Sequence, residues 1–503
     1  MTQDPRAADR TTFPDPVYKE TVLRPLFDGA KAHHVEGFRA IDRAHLVMLA
    51  ETGILPRDAA GRIARALAAI DTEIDPSKLV YTGAVEDYFF AIEAELRKRL
   101  GPDEAGRLHT GRSRNDIDHT LFKLALKPRL DRMAGQLRAL IDAALRLAER
   151  EQRTLIVAYT HGQPAQPSTL GHYLGAAIEV MLRDHERLIQ ARELLDLSPM
   201  GAAAITTSGF PLDRDRVARL LGFKAPLENS YGCIAAVDYV TGAFSAVELV
   251  FLHLGRVIQD LQFWTAFEVG QIYVPNAFVQ ISSIMPQKRN PVPIEHLRHL
   301  ASQAMGRARV IRDVIHNTPF TDMNDAEGET HEAGYQAFET GGRVLELLAA
   351  LLPALQVDDR RVAETIRRSC ITITELADTL VRGEGLSFRQ AHEIAAEVAR
   401  AVVAADGDLP RDGYAPFVDA FRRHAGREPG LDAAGFAEAV SPERFVAVRE
   451  RFGGPGPQAL AAALARYRAR LGDMTAAAEA VARRERAARD ELQAAFAALA
   501  GEA

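Results

Sequence analysis

Residues Ser282-Ser283-Ile284-Met285-Pro286-Gln287-Lys288-Arg289-Asn290-Pro291 decide how this chain is read. Prolines at 286, 291 and 293 exclude regular helix there. The stretch is therefore a loop, yet it carries serines, a lysine and an asparagine. A loop of this composition, feeding a helix that starts near Pro293, is suited to hold an anion. Taken alone, it fits a plain surface turn as well.

Outward from the loop, residues 272–281 show no helical rhythm, whereas long helical patterns surround them. Leu130, Met133, Leu137, Leu140, Ala144 and Leu147 follow a 3-4-3-4-3 spacing, the seam of helices packed at shallow angles. Phe244, Val247, Phe251, Leu254, Ile258 and Leu261 repeat it. Two more helices are expected over 168–195 and 293–316. Four helices of about 25 to 30 residues, each about 40 Å long, describe an elongated bundle. Their apolar faces are broader than one protomer needs, so lateral association is expected.

Residues 1–17 are polar with three prolines and read as a loose arm. A helical pattern runs from Phe38 to Leu100, and Gly101-Pro102 and the run 106–116 break it. Beyond Leu355 the helices shorten, with Ser387 and Gln390 spaced as a capping box. Gly453-Gly454-Pro455-Gly456-Pro457 is a loop, and the Ala/Arg-rich tail from Ala459 reads as a terminal helix. No series of alternating strands and no internal repeat is found.

The 503 residues exceed one compact core. Hydrophobic content of 47% with 26% charged residues fits a soluble globular protein. A net charge of -7 argues against a nucleic-acid partner. Cys233 and Cys370 give no disulfide framework and fit a reducing compartment. No N-terminal hydrophobic run follows Met1 and no apolar stretch approaches membrane-spanning length, so no membrane partner and a cytoplasmic location are expected.

Three polar islands interrupt the helices: residues 109–116 (His-Thr-Gly-Arg-Ser-Arg-Asn-Asp), residues 159–167 (Tyr-Thr-His-Gly-Gln-Pro-Ala-Gln-Pro) and the opening loop. Each lies at the end of a long helix, so packing can join them within a protomer or between protomers. They offer Arg, Lys, Asn, Ser, Thr and His with few carboxylates, an inventory for a carboxylate-bearing substrate. Singly, Ser113-Arg114-Asn115 reads as a helix cap and His161 as a structural histidine. No HExxH, paired CxxC, P-loop or GxGxxG motif is present.

Together the islands resemble the fumarase/aspartase superfamily of lyases and, within it, the argininosuccinate lyase branch. The superfamily signature is Gly-Ser-Ser-x-x-Met-Pro-x-Lys-x-Asn-Pro. Residues 282–291 fit it, with Ile281 where glycine is usual. The pieces specific to the branch are 109–116, 159–167, Glu86-Asp87 with Glu93, and Phe388-Arg389-Gln390-Ala391-His392-Glu393. The resemblance spans roughly residues 40–460.

It implies an all-α, three-domain protomer: an N-terminal helical domain (1–115), a central long-helix bundle (116–365) carrying the signature loop within 272–292, and a C-terminal helical domain (366–503). It further implies a homotetramer on a twenty-helix bundle, with active sites shared between subunits. The chemistry implied is reversible anti-elimination of an amine from an N-substituted L-aspartate, releasing fumarate, with no metal or organic cofactor. By carry-over, Ser282 is the base, acting as an alkoxide, and Lys288 and Asn290 hold the carboxylate where negative charge builds. Ser113, Arg114, Asn115 and Thr160 hold the succinyl carboxylates, and His161 is an acid or relay. Met285 and Gln163 complete the expected substrate-binding set.

The departures fall on the amine half. The branch usually reads Asn-Ser-x-Asp-Ala-Val-Ser-Asp-Arg-Asp where this chain has Asn229-Ser230-Tyr231-Gly232-Cys233-Ile234-Ala235-Ala236-Val237-Asp238. Asp322, Glu327 and Thr330 stand where the branch carries Tyr, Gln and Lys, and Val292 where Asp is usual. The expectation is a lyase for an N-substituted aspartate other than argininosuccinate, such as an aminopolycarboxylate resembling ethylenediamine-N,N'-disuccinate. The alternatives are a true argininosuccinate lyase, a lyase or cycloisomerase for another carboxylic acid, and a non-catalytic crystallin-like protein.

Overall fold

The structure, a computed structural model, describes residues 13–326 and 328–501. Most of the expected N-terminal arm, and Glu327, lie outside the described residues. Helices α1 (Arg24–His33), α2 (Val35–Glu51), α3 (Arg57–Glu73) and α4 (Tyr88–Leu100) share a core of Phe27, Phe38, Met48, Ile63 and Leu96. Asp87 caps α4 by accepting from the Phe90 amide at 3.0 Å.

Five long helices follow: α5 (Arg114–Arg150), α6 (Leu170–Leu195), α7 (Asp238–Trp264), α8 (Val292–Val314) and α9 (Gly328–Leu351). Every residue of both predicted seams is buried in one shared core. Burying a side chain of Leu or Phe size contributes about 1.5–3 kcal/mol, so these seams fix how the helices pack. The pattern reading found four helices and passed over α9, where glycines replace bulky residues on the packed face. A Cβ on Gly341 would lie 2.3 Å from the Phe251 ring, and one on Gly334 2.3 Å from the Phe244 ring. Close approach here takes the place of a heavy apolar rhythm.

By length and composition α7 is apolar enough to cross a membrane. The structure places it inside the bundle, with Phe244, Val247, Phe251 and Leu254 buried.

Helices α10 (Ile373–Glu384), α11 (Phe388–Ala404) and α12 (Tyr414–Ala425) enclose a separate core of Leu376, Ile394, Phe417 and Phe421. The capping box on α11 is present: the Gln390 amide donates to Ser387 Oγ at 3.3 Å and the Ser387 amide to Gln390 Oε1 at 3.2 Å. Terminal helix α13 (Pro457–Ala500) then runs back along the molecule. Its Leu460, Leu464 and Leu471 join the bundle core, while Leu492 and Phe496 join the N-terminal one.

Strands are few and short. The longest pair is a hairpin of β1 (Leu155–Thr160) and β2 (Gln163–Thr169), where the sequence showed only a polar island. The signature stretch is held between β3 (Gln280–Ile281) and β4 (Arg289–Asn290).

Candidate active site

The signature loop is a hairpin end. Gln280 pairs with Asn290 and Ile281 with Arg289. At the tip, Ser282 Oγ accepts from the Met285 amide at 3.0 Å and the Ile284 amide at 3.4 Å. The Lys288 amide donates to the Met285 carbonyl at 3.0 Å. Two N–H dipoles on one hydroxyl oxygen favour its ionised form. Arg289 anchors the returning strand, its Nη2 donating to the Val274 carbonyl at 2.9 Å and Asn276 Oδ1 at 2.7 Å. Ser282 and Asn290 are half-buried, whereas Met285 and Lys288 are exposed.

The second island is the β1–β2 turn. His161 has φ 55 and Gly162 φ 74, the signs of a two-residue type I′ turn, closed by the pairing of Thr160 with Gln163. A histidine at positive φ is uncommon and is held there by the strands. Thr160, His161 and Gln163 are all exposed at the hairpin tip.

The first island starts α5. Ser113 is its N-cap in a capping box with Asp116, whose Oδ1 accepts from the Ser113 amide at 2.9 Å. Asp116 Oδ2 accepts from the amides of Gly201 and Ala203, both at 2.9 Å. Burial pushes its pKa up to about 6 against these bonds. Asn115 Nδ2 donates to the Ala204 carbonyl at 3.1 Å. Arg114 pairs with Asp87 at 2.8 Å and Asp118 at 2.9 Å. Ser113 is thus the cap of α5, at the helix end whose amide dipoles favour an anion.

Helix length separates the islands within one protomer. α5 rises about 55 Å at 1.5 Å per residue between the first island and β1. Val157 of β1 exchanges hydrogen bonds with the Gln271 side chain at 3.0 and 3.3 Å, which ties the second island to the segment leading into β3. The second and third islands therefore share one end of the bundle, and the first occupies the other.

At the first-island end lies a cavity of about 450 Å³ between α1, α4, α5 and α9. Arg114, Asn115 and Asp322 line it together with Glu86, Asp118 and Glu332. Asp322 Oδ1 lies 4.0 Å from His119 Nε2, and the His119 ring is held neutral because burial lowers its pKa to about 4. Burial likewise raises Asp118 to about 6 and Glu332 to about 7.

A lyase family model matches residues 15–306, and a model for the argininosuccinate lyase C-terminal region matches 370–447. Argininosuccinate lyase 2 of Agrobacterium fabrum is 67% identical over 99% of both chains. The chain belongs to the argininosuccinate lyase family. Within that family, argininosuccinate lyase of Methanocaldococcus jannaschii is 33% identical over 86% of this chain and 87% of its own. Among solved structures, an EDDS lyase variant with bound fumarate superposes with a TM-score of 0.83 at 28% identity, covering 98% of this chain and 97% of its own. Membership makes the chain a carbon–nitrogen lyase with the all-α fold expected from the signature loop.

For this argininosuccinate lyase family member, the altered segments have distinct structural fates. Asn229 caps a short helix, its Oδ1 accepting from the Tyr231 and Gly232 amides at 2.9 and 3.2 Å. Buried Cys233 receives Arg214 Nη2 at 3.3 Å, so much of the 229–238 change is packing. Tyr231 stacks on Phe320 with centroids 6.1 Å apart. Asp322 faces the cavity, whereas Thr330 Oγ1 donates to the Asp325 carbonyl at 2.9 Å. Glu93, grouped with Glu86 and Asp87 in the sequence, pairs with Arg97 at 3.0 Å and does not line this cavity. Asp118, Glu329, Glu332 and His34 do line it and were not foreseen. Asp118 sits one helical turn after Arg114, which a search for i,i+4 charge pairs finds. The other three reach the cavity only through tertiary packing.

Proposed function

We propose that the chain catalyses reversible anti-elimination of an amine from an N-substituted L-aspartate, giving fumarate. The observation that carries this reading is Ser282, whose Oγ is backed by two backbone amides within the signature hairpin. A serine is a weak base in water, and N–H donors on its oxygen lower its pKa. Ser282 takes the Cβ proton. The adjoining carboxylate becomes an aci-carboxylate dianion, which Lys288 and Asn290 hold where charge accumulates. Thr160 and the amide-rich start of α5, with Ser113 and Asn115, bind the succinyl carboxylates. Arg114 orders Asp87 and Asp118 beside them. His161, held at a turn tip, is the acid or relay, and Met285 and Gln163 flank the substrate.

The separation along α5 favours a site completed by other copies of the chain, and the homotetramer that the family resemblance implies would supply them. The broad groove of about 620 Å³ that α6, α7 and α8 leave on the bundle, lined by Ala176, Ala177, Val180 and Leu252, is a surface for lateral packing. A cytoplasmic location fits the enzyme so assembled.

The name of the 67% identical relative favours a second reading, a true argininosuccinate lyase. Fumarate release, followed by its ultraviolet absorbance, separates the two. Other N-substituted aspartates should react faster than argininosuccinate, and a preference for argininosuccinate selects the second reading. Ser282→Ala should lower turnover by about 10²–10⁴-fold without changing the oligomer. Near-normal turnover in that variant would remove Ser282 as the base.

A further inference from the structure

Charge is poorly balanced in the cavity between α1, α4, α5 and α9. Arg114 is engaged by Asp87 and Asp118. Among the described residues, Glu86, Glu329 and Glu332 have no cation within salt-bridge distance, and Asp322 has only the neutral His119 ring at 4.0 Å. Within one protomer, Glu86, Asp322 and Glu329 thus face one space of about 450 Å³ without an answering charge, and Glu332 adds a carboxyl group that a bound cation would help to ionise. A second observation is independent of them. His34 lines the same cavity, is only 5% exposed, and neither of its ring nitrogens has a hydrogen-bond partner. Burial lowers its pKa to about 3, so it is neutral and offers a ring nitrogen as an acceptor.

We infer that this cavity receives the leaving amine of the proposed lyase reaction and selects one that carries a second positive charge and no carboxylate. The class is an alkyl diamine, a polyamine or a guanidinoalkylamine, in preference to an amino acid or an aminopolycarboxylate. The inference rests on the lyase reading above and narrows it. A ligand rich in N–H donors satisfies both the acids and His34. A carboxylate on the amine would meet like charges beside Glu86, Asp322 and Glu329, because Arg114 is engaged by Asp87 and Asp118 and the start of α5 is left to the succinyl half. A metal ion is a poorer fit, because among the described residues no group of three or more His, Cys, Asp or Glu is close enough to hold one. The acids come instead from the segment before α4 (Glu86), the segment before α9 (Asp322) and the first turns of α9 (Glu329 and Glu332), and Leu26, Ala30 and Phe122 line the same cavity. That spacing suits a methylene chain with charged groups along it.

The test uses the full-length protein, with fumarate and one amine at equal concentrations, following the loss of fumarate absorbance. The amines are 1,4-diaminobutane, agmatine, L-arginine and ethylenediamine-N-monosuccinate. The two cationic amines should be consumed with kcat/KM at least about tenfold above the two carboxylate-bearing ones, the value of one charge-assisted bond. Equal or better use of L-arginine or the monosuccinate overturns the inference while leaving the lyase reading intact. Calorimetric binding of 1,4-diaminobutane supplies a readout independent of turnover. Asp322→Asn and Glu332→Gln should each weaken it about tenfold, and Asp322→Glu should retain it, with circular dichroism checking that each variant is folded. Binding without turnover of any amine refutes the lyase reading and keeps the cation selectivity. No binding by the wild type overturns the inference.

Discussion

Glu332 and Asp118 hold protons that their unfolded counterparts would lose. Burial, with Glu329 nearby, lifts Glu332 from 4.5 to about 7, and burial lifts Asp118 from 3.8 to about 6. Between pH 4.5 and 7 the folded protein therefore binds more protons at Glu332 than the unfolded chain. Stability contributed by this group falls as pH rises through that window. Replacing Glu332 with Gln removes the dependence, so urea midpoints of Glu332→Gln should decline less than those of the wild type over the window. Parallel midpoints would show that Glu332 is not a strained carboxylate. At this scale the sequence was partly readable. Ser113, Thr160, His161, Ser282, Lys288 and Asn290 stand out as candidates because they lie in or beside turns whose composition and spacing are distinctive in one dimension. Glu332 and His34 are ordinary helix residues in sequence, and only packing brings them to a shared cavity.

The elements were legible where burial imposes a period. The seams on α5 and α7 announced their helices, since a buried stripe must repeat every three to four residues. α9 escaped because its packing depends on absent side chains. Gly341→Ala should force the Phe251 ring to move and cost about 1–3 kcal/mol, read as a lower thermal midpoint. An unchanged midpoint would mean that α7 and α9 are less tightly apposed than the 2.3 Å approach indicates. The β1–β2 hairpin was missed for a different reason: Pro164 and Pro167 weaken the strand signal of β2, and its turn uses His161 where Asn or Asp is commoner. His161→Gly keeps the positive φ at no steric cost. It should preserve stability and reduce turnover, and normal turnover would assign His161 a purely conformational role.

At the scale of the whole molecule, the placement of the islands matters more than the islands themselves. The sequence left open whether one protomer could join them. The length of α5, about 55 Å, puts the first island far from the other two. If sites are shared, two inactive variants altered in different islands should complement each other. Mixing Ser282→Ala with Asn115→Leu, followed by dissociation and reassembly, should restore a fraction of wild-type turnover, because some sites then receive both intact islands. No recovery in verified hybrids would place the whole site within one protomer. The chemical claim has a more direct test. With fumarate and a reactive amine in deuterium oxide, the wild type should form an N-substituted aspartate bearing one deuterium at Cβ, as a single diastereomer by proton NMR. Ser282→Ala should form almost none. Deuterium in both Cβ positions, or undiminished product from Ser282→Ala, would contradict anti-addition with Ser282 as the proton carrier.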